Sequence, residues 1–497
     1  MNAVLISFIV YLVLVFFVGI MTCRLSKTLS DYLIAGRKLG PWVVAFSERA
    51  SGESAWLLIG VPGIAFASGF LGIWPAVGCT AGIMFSWIFI ARKLRTDTER
   101  YDAITVPDYF EARFTDRSRI LRIFTACVII FFFTIYVAAQ FLAAGKVLNA
   151  AFNIPEFWGM VIGAAVILFY TVMGGFFAVA WTDLVQGIIM VFTLVLLPIA
   201  ALIALGGFAR AAESIRFVNP QLLNVTGVKS GFPLFLAITG ALGIGLGYMG
   251  QPHLVARFMA INDRKELKKS MLIASLWALL AFWGATFIGI FGIAFLRNGL
   301  TEGISADLIL KGGWFKDTAV LGTLISDPEK LMPVMAKALM PPVIAGIMIS
   351  GAIAAMMSTA DSQLLASTSA VTEDIYHHLF KKNADQKELI LVSRIATITI
   401  GIVAFLIAIF TRQLVYHLVL FAWGGLGAVF GPAMFFSLWW KKATKAGILA
   451  GMIVALLTII VINLIPVFKA THIDLVFAFL LSIAAITTVS LTGKKAH

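Results

Sequence analysis

Apolar stretches of about 20 residues recur from one end of this chain to the other, and a helix of that length just crosses the roughly 30 Å hydrocarbon core of a bilayer. They lie near 4–22, 44–67, 71–91, 122–145, 156–173, 184–206, 232–251, 272–295, 338–359, 390–410, 414–438, 446–465 and 472–491. Lipid offers no partner to an exposed peptide group, so a chain that enters it this often does so as helices. Only 13% of the residues are charged, about half the share a soluble globule carries. The reading is an all-α membrane protein of about 13 transmembrane helices in contact with lipid. No small-residue cleavage site follows the first stretch, which reads as a retained helix and not a signal peptide.

The formal charge of +13 is distributed by loop. Alternate loops hold 25 of the 38 Lys and Arg: Arg24 to Lys38, Arg92 to Arg122, Arg257 to Lys269, Lys381 to Lys387, Lys441 to Lys445, and Lys494 with Lys495. Cytoplasmic loops carry that bias, so the N-terminus is expected outside and the C-terminus inside, in a bacterial inner (plasma) membrane. The basic charge is thereby topology, and no nucleic-acid partner is called for. Cys23, Cys79 and Cys127 have no paired spacing, which indicates neither disulfide nor metal motif. No phosphate-cradling loop, HExxH or GxSxG occurs. An enzyme is not expected, nor an organic cofactor.

Two spans are abnormal. The second carries Ser47-Glu48-Arg49-Ala50-Ser51-Gly52-Glu53-Ser54, and the seventh carries Gly243, Gly245, Gly247 and Gly250 before Pro252. Glycine and proline at that density do not hold an ordinary helix, and irregular backbone survives in a membrane only where it is buried or lines a cavity. The two breaks are five spans apart, each opening a block of five. That spacing matches inverted repeats that build a midplane site from discontinuous helices. The implied division is 1–43 (first helix and loop), 44–206 and 207–438 (two five-helix repeats), and 439–497 (two appended helices and a tail). The glycines serve either close backbone approach or gating.

The stretch Asp31-Tyr32-Leu33-Ile34-Ala35-Gly36-Arg37 resembles the loop signature of the solute:sodium symporters. Gly174-Gly175-Phe176, Trp181-Thr182-Asp183 with Gln186, Met357-Ser358-Thr359, Gln363-Leu364-Leu365 and Thr372-Glu373-Asp374 match as well. Trp56-Leu57-Leu58, Thr105 to Phe110, Ser118 to Arg122 and Gly250-Gln251-Pro252-His253 are most similar to the bacterial sodium/proline branch. The resemblance covers essentially the whole chain. It implies a LeuT-like core of five plus five helices, formed by helices 2–6 and 7–11, with helix 1 outside it and two helices appended.

By the same resemblance, a coupling sodium ion would be held by the carbonyls of Ala50, Glu53 and Ala355 and the hydroxyls of Ser358 and Thr359. A second cation or proton site is implied at Asp183, Asp361 and Ser362, near Ser358. The solute would meet Ser54, Trp56, Tyr136, Tyr248 and Pro252. The expected activity is cation-coupled symport of proline or a related small amino acid by alternating access, with Na+ as coupling ion and H+ the alternative. Sodium-independent uptake of another small carboxylate keeps the fold and changes the chemistry; a channel or sensor is a different class.

The sequence departs from its branch where it matters most. Gly52 stands at an Asp position, Ile244 at a Trp position, and Glu48, Arg49 and Glu53 replace neutral residues. Intramembrane charges are costly and mark pathways. Three readings stay open: a self-neutralising cluster that fixes the broken helix, Glu53 standing in for the missing Asp, or Arg49 taking the ion's electrostatic place. Arg37 is either a topology charge or a partner for an acid in a closed state.

Overall fold

Backbone groups that cannot reach water bond within their own helix, and the computed structural model is built of helices. It describes residues 3–23, 29–227, 229–297, 327–411, 414–465 and 473–492. Part of the 296–337 loop, and the charges Arg24, Lys27, Arg412, Lys469, Lys494 and Lys495, lie outside these residues. Among the described residues, 11 helical runs are long and apolar enough to cross a membrane. The difference from 13 arises where runs join or fall short: Trp56–Arg100 joins parts of two apolar stretches into one helical run, and Glu156–Val172 is shorter than the rest.

In chain order the helices are α1 (Ala3–Cys23), α2 (Leu29–Ile34), α3 (Pro41–Gly52), α4 (Val61–Ser68), α5 (Ile73–Phe85), α6 (Arg92–Arg100), α7 (Val106–Arg113), α8 (Ile120–Phe152), α9 (Glu156–Ala204), α10 (Phe208–Val218), α11 (Gly231–Gly243), α12 (Pro252–Ala260) and α13 (Leu267–Arg297). Then follow α14 (Leu331–Leu339), α15 (Pro342–Ser369), α16 (Gln386–Phe410), α17 (Val415–Trp439), α18 (Lys445–Asn463) and α19 (Asp474–Thr492). α8 packs against α9, α15, α16 and α17; α9 packs against α1, α3, α13 and α15; α18 and α19 pair and lean on α17.

The breaks fall where glycine and proline predict them. α3 ends at Gly52, and helix resumes only at Trp56 with a wide turn over Trp56–Gly60. α11 tightens into a 3₁₀ turn over Ile244–Met249, then α12 starts at Pro252. α9 breaks at Gly175, with φ 61° and ψ −173°, a conformation open in practice only to glycine. Span nine is longer than read. α15 begins at Pro342, and its helix continues as a wide turn over Ala370–Phe380, so Ser358 and Thr359 lie mid-helix, not at its end. Arg37 donates to the Thr98 and Ala103 carbonyls, both at 2.9 Å, with Asp102 at 3.9 Å.

The glycines of the second break permit close approach. A methyl group on Gly245 would run into the Gly78 carbonyl, and one on Gly247 into the Trp423 indole. Gly82 in turn faces the Gly245 carbonyl. Gly82→Ala is therefore expected to cut the yield of monodisperse protein in detergent several-fold. Gly40→Ala, whose added methyl meets nothing within 4 Å, should leave it unchanged. Equal yields from the two variants would refute this account of α5 against the broken segment.

Candidate functional site

The break after Gly52 leaves carbonyls at the end of α3 without partners in their own helix, and α15 crosses that end. Ser358 Oγ donates to the Ala50 carbonyl at 2.9 Å and to the Ala355 carbonyl at 3.2 Å. Thr359 Oγ1 donates to the Ser51 carbonyl at 2.9 Å. Five oxygens thus converge from the two helices, all on residues with no exposed surface. An all-oxygen set at an unwound helix end suits a hard alkali cation. The Ser51 carbonyl, Thr359's partner, is one the sequence reading did not name.

One turn along α15 from the hydroxyl pair lies a second polar cluster. Asp183 Oδ2 accepts from Ser47 Oγ at 2.6 Å and from Ser51 Oγ at 2.9 Å, and Ser51 Oγ lies 2.8 Å from Ser362 Oγ. Asp361 turns the other way, accepting from the Tyr170 hydroxyl, which itself lies 2.6 Å from Thr182 Oγ1; Ser362 Oγ reaches Asp361 Oδ1 at 3.3 Å. Asp183 and Ser362 therefore come together, Asp361 joins them through Ser362, and Ser358 faces the Ala50 carbonyl instead. Arg257 stands in the middle. The sequence reading counted it among cytoplasmic loop charges, yet it lies in α12 and is 1% exposed. Its position four residues after His253, in a segment otherwise apolar up to Ile261, was the available signal.

The charged residues of α3 form one closed group. Arg49 donates through Nε to Glu48 at 2.5 Å, through Nη2 to the other oxygen of Glu48, and through Nη1 to Glu53 at 2.6 Å. Trp87 Nε1 donates to Glu48 at 3.2 Å, and the Tyr248 hydroxyl sits 3.0 and 3.1 Å from the two Glu53 oxygens. The Arg49 guanidinium also lies 5.2 Å from the Tyr248 ring centre. Glu48, Arg49 and Glu53 are at most 2% exposed.

Beside this triad lies a closed cavity lined by Gly52, Trp56, Tyr136, Ile244, Tyr248, Val419, Leu420 and Trp423, with a volume of only about 10 Å³. That admits about one water, so the aromatic walls must part before any solute enters. Ser54 Oγ lies 3.2 Å from the Tyr136 hydroxyl, and the Ala55 amide donates to Gln140 Oε1 at 3.1 Å. Trp423, which the sequence reading missed, packs edge-on against Tyr248 with centres 4.6 Å apart and donates to the Ile244 carbonyl at 2.9 Å. The aromatic wall that Ile244 cannot supply comes from α17. The Gly424-Gly425 pair after this tryptophan was the sequence signal. Pro252 does not line this cavity. It lines another, of about 40 Å³, with His253, Arg257, Ser362 and Asp374, leading toward the end of α15.

Two mid-membrane breaks, oxygens gathered at one of them and an occluded cavity between them describe a secondary active transporter. The chain belongs to the sodium:solute symporter family, whose model matches residues 32–455. It is 40% identical over 458 residues to the sodium/proline symporter of Escherichia coli (strain K12), covering 92% of this chain and 87% of that one. It is 36% identical to the osmoregulated proline transporter OpuE of Bacillus subtilis (strain 168), covering 99% and 95%. A solved Na+-coupled sialic acid symporter superposes with a TM-score of 0.79 at 20% identity, covering 99% of this chain and 98% of that one. Mhp1, a nucleobase-cation-symport-1 family transporter, gives 0.53 at 15% identity, covering 94% and 96%. The chain is a multi-pass membrane protein with a LeuT-like helical fold.

Proposed function

We propose that this chain carries proline or a related small amino acid into a bacterial cell with sodium, by alternating access. The observation that carries the reading is the contact of Ser358 and Thr359 with the carbonyls of Ala50 and Ser51, 2.9 Å each, next to a cavity walled by Trp56, Tyr136, Tyr248 and Trp423. Identity of 34–40% to sodium/proline symporters along most of the chain supports the solute class. Thirteen crossings, ten of them in two inverted five-helix blocks, with the N-terminus outside and the C-terminus inside, complete the proposal.

The residues divide the work simply. Hydroxyls at 358 and 359 can rotate their protons away and present lone pairs to an ion that shares the Ala50, Ser51 and Ala355 carbonyls. The helix that resumes at Trp56 points its N-terminal amides into the break, where a carboxylate is favoured. Trp56, Tyr136, Tyr248 and Trp423 offer an apolar wall for a ring. Binding the ion draws α3 onto α15, and that coupling is what a symporter needs.

Uptake of radiolabelled proline into proteoliposomes, with sodium and proton gradients imposed separately, tests the reading. The sodium gradient should drive accumulation. Thr359→Ala should raise the sodium concentration for half-maximal uptake about tenfold, since one ligand oxygen is lost, and leave folded yield unchanged. A sodium dependence identical to wild type would remove Thr359 from the ion site. Drive by protons alone would favour the second reading, in which the Glu48–Arg49–Glu53 group carries the coupled charge.

A further inference from the structure

Arg257 is a full positive charge in the interior of the helical bundle. Its Nη2 donates to Ser51 Oγ at 2.8 Å, to Asp183 Oδ2 at 3.2 Å and to Ser362 Oγ. Its Nε donates to Ser47 Oγ at 3.1 Å, and Nη1 to the His253 carbonyl of its own helix at 2.6 Å. One face of the guanidinium lies over the Phe176 ring, 4.9 Å from its centre, which holds it in place. It therefore contacts two of the three residues that suit a second cation, Asp183 and Ser362, and adjoins the third, Asp361, through the Ser362 hydroxyl.

We propose that Arg257 is a tethered cation that fills the second ion position, so that this chain carries one mobile sodium, at Ser358 and Thr359, and no second one. The proposal rests on the sodium-coupled reading for the count of one, and stands apart from it for the role of Arg257. A carboxylate with three hydroxyls around one point makes a cation site; a guanidinium already at that point satisfies the same oxygens and costs no ordering of a free ion. Arg delivers its charge permanently, because it does not deprotonate in proteins. The charges facing it support this. Asp183 bonds Arg257 directly, Asp361 faces Tyr170 and reaches the group only through Ser362, and His253 lies buried beside them. Removing the guanidinium would leave Asp183 and the hydroxyls of Ser47, Ser51 and Ser362 facing one another, which is a vacant cation site.

Bound sodium is counted with ²²Na+ on purified protein in detergent. Wild type should hold one ion per chain, and Arg257→Gln should hold two, with the Hill coefficient of sodium-dependent uptake rising from about one to about two. Arg257→Lys keeps the charge and should keep the count at one. These counts follow the charge at 257, which a purely structural role would not produce. An Arg257→Gln count equal to wild type overturns the proposal, whatever the wild-type value. A wild-type count of two overturns it as well. A wild-type count of zero with a gain of one in Arg257→Gln upholds Arg257 as the tethered cation and refutes sodium coupling instead. If Arg257→Gln cannot be purified, Asp183→Asn decides. Its count stays at the wild-type value if the acid's partner is Arg257, and a drop by one means Asp183 holds sodium and the proposal fails.

Discussion

Arg49→Met should abolish folded, active transporter, whereas the neutral triple variant Glu48→Gln/Arg49→Met/Glu53→Gln should restore much of the folded yield. The three side chains exclude water, and the guanidinium bonds both acids at once. Taking it away leaves two carboxylates facing each other in the bundle. Breaking a buried ion pair by removing one partner costs about 3–5 kcal/mol, a large part of the roughly 5–15 kcal/mol that keeps a typical domain folded. Removing all three charges abolishes the reason for the loss. Glu53→Gln alone should be mild for folding, because Glu48 still matches Arg49 and the Tyr248 hydroxyl can still bond the amide. That mildness makes it the informative variant. A folded Glu53→Gln protein whose uptake no longer needs sodium would show Glu53 serving the ion in place of the Asp that Gly52 lacks. Unchanged sodium dependence would leave the triad as a brace for the broken helix. A sodium requirement that appears only when Arg49 is neutralised in the triple variant would place Arg49 where an ion otherwise acts. Yields from Arg49→Met and the triple variant that are equally low would mean the charges are not what couples these residues.

The breaks were legible in the sequence because the chemistry that makes them is local. Gly52, the glycines from 243 to 250 and Pro252 weaken a helix locally, although α17 stays helical through Gly424, Gly425, Gly427, Gly431 and Pro432, so the density marks where a break is favoured and not where it must fall. Apolar length reads as 11 to 13 crossings, according to whether Trp56–Arg100, whose backbone turns at Gly69, is one crossing or two and whether the shorter Glu156–Val172 is one. The ends of α15 were misplaced for a related reason. The stretch after Thr359 turns polar with Asp361, Ser362, Gln363 and Ser367, which reads as leaving the membrane, but all four are buried against other helices. Arg257 was missed for the same reason in reverse. A basic residue past a span is usually a loop charge, and only the return of α12 against α3 shows it to be interior. Trp423 could not be connected with Ile244 because they lie in different helices, and no sequence spacing reports that contact.

Opening the two ends of the transporter separately should move its cavity in opposite directions. At the end expected to face outward, Glu329 accepts from Lys146 Nζ at 2.6 Å and from the Val415 and Tyr416 amides at 3.1 and 2.8 Å. It thereby ties the turn before α14 to α8 and to the N-terminus of α17, where a negative charge is favoured. At the opposite end, Arg122 bonds Asp374 at 2.9 Å, Asp108 at 2.5 Å and Glu111, and Thr105 adds a bond to Asp374 at 2.8 Å. That set ties α7 and α8 to the far end of α15. A hydrogen bond to a charged group is worth about 1.5–3 kcal/mol, so losing one latch should shift a closed–open equilibrium roughly ten- to hundredfold. With the three native cysteines replaced and a single cysteine placed at Leu420 in the cavity wall, Glu329→Gln should speed labelling by an impermeant thiol reagent from outside at least tenfold. Asp374→Asn should slow outside labelling and speed it from the cytoplasmic side. The sites are far apart, so the double variant should lie near the wild-type ratio of the two rates. If both single variants instead raise labelling from both sides, the charges only hold the bundle together and do not act as opposed gates.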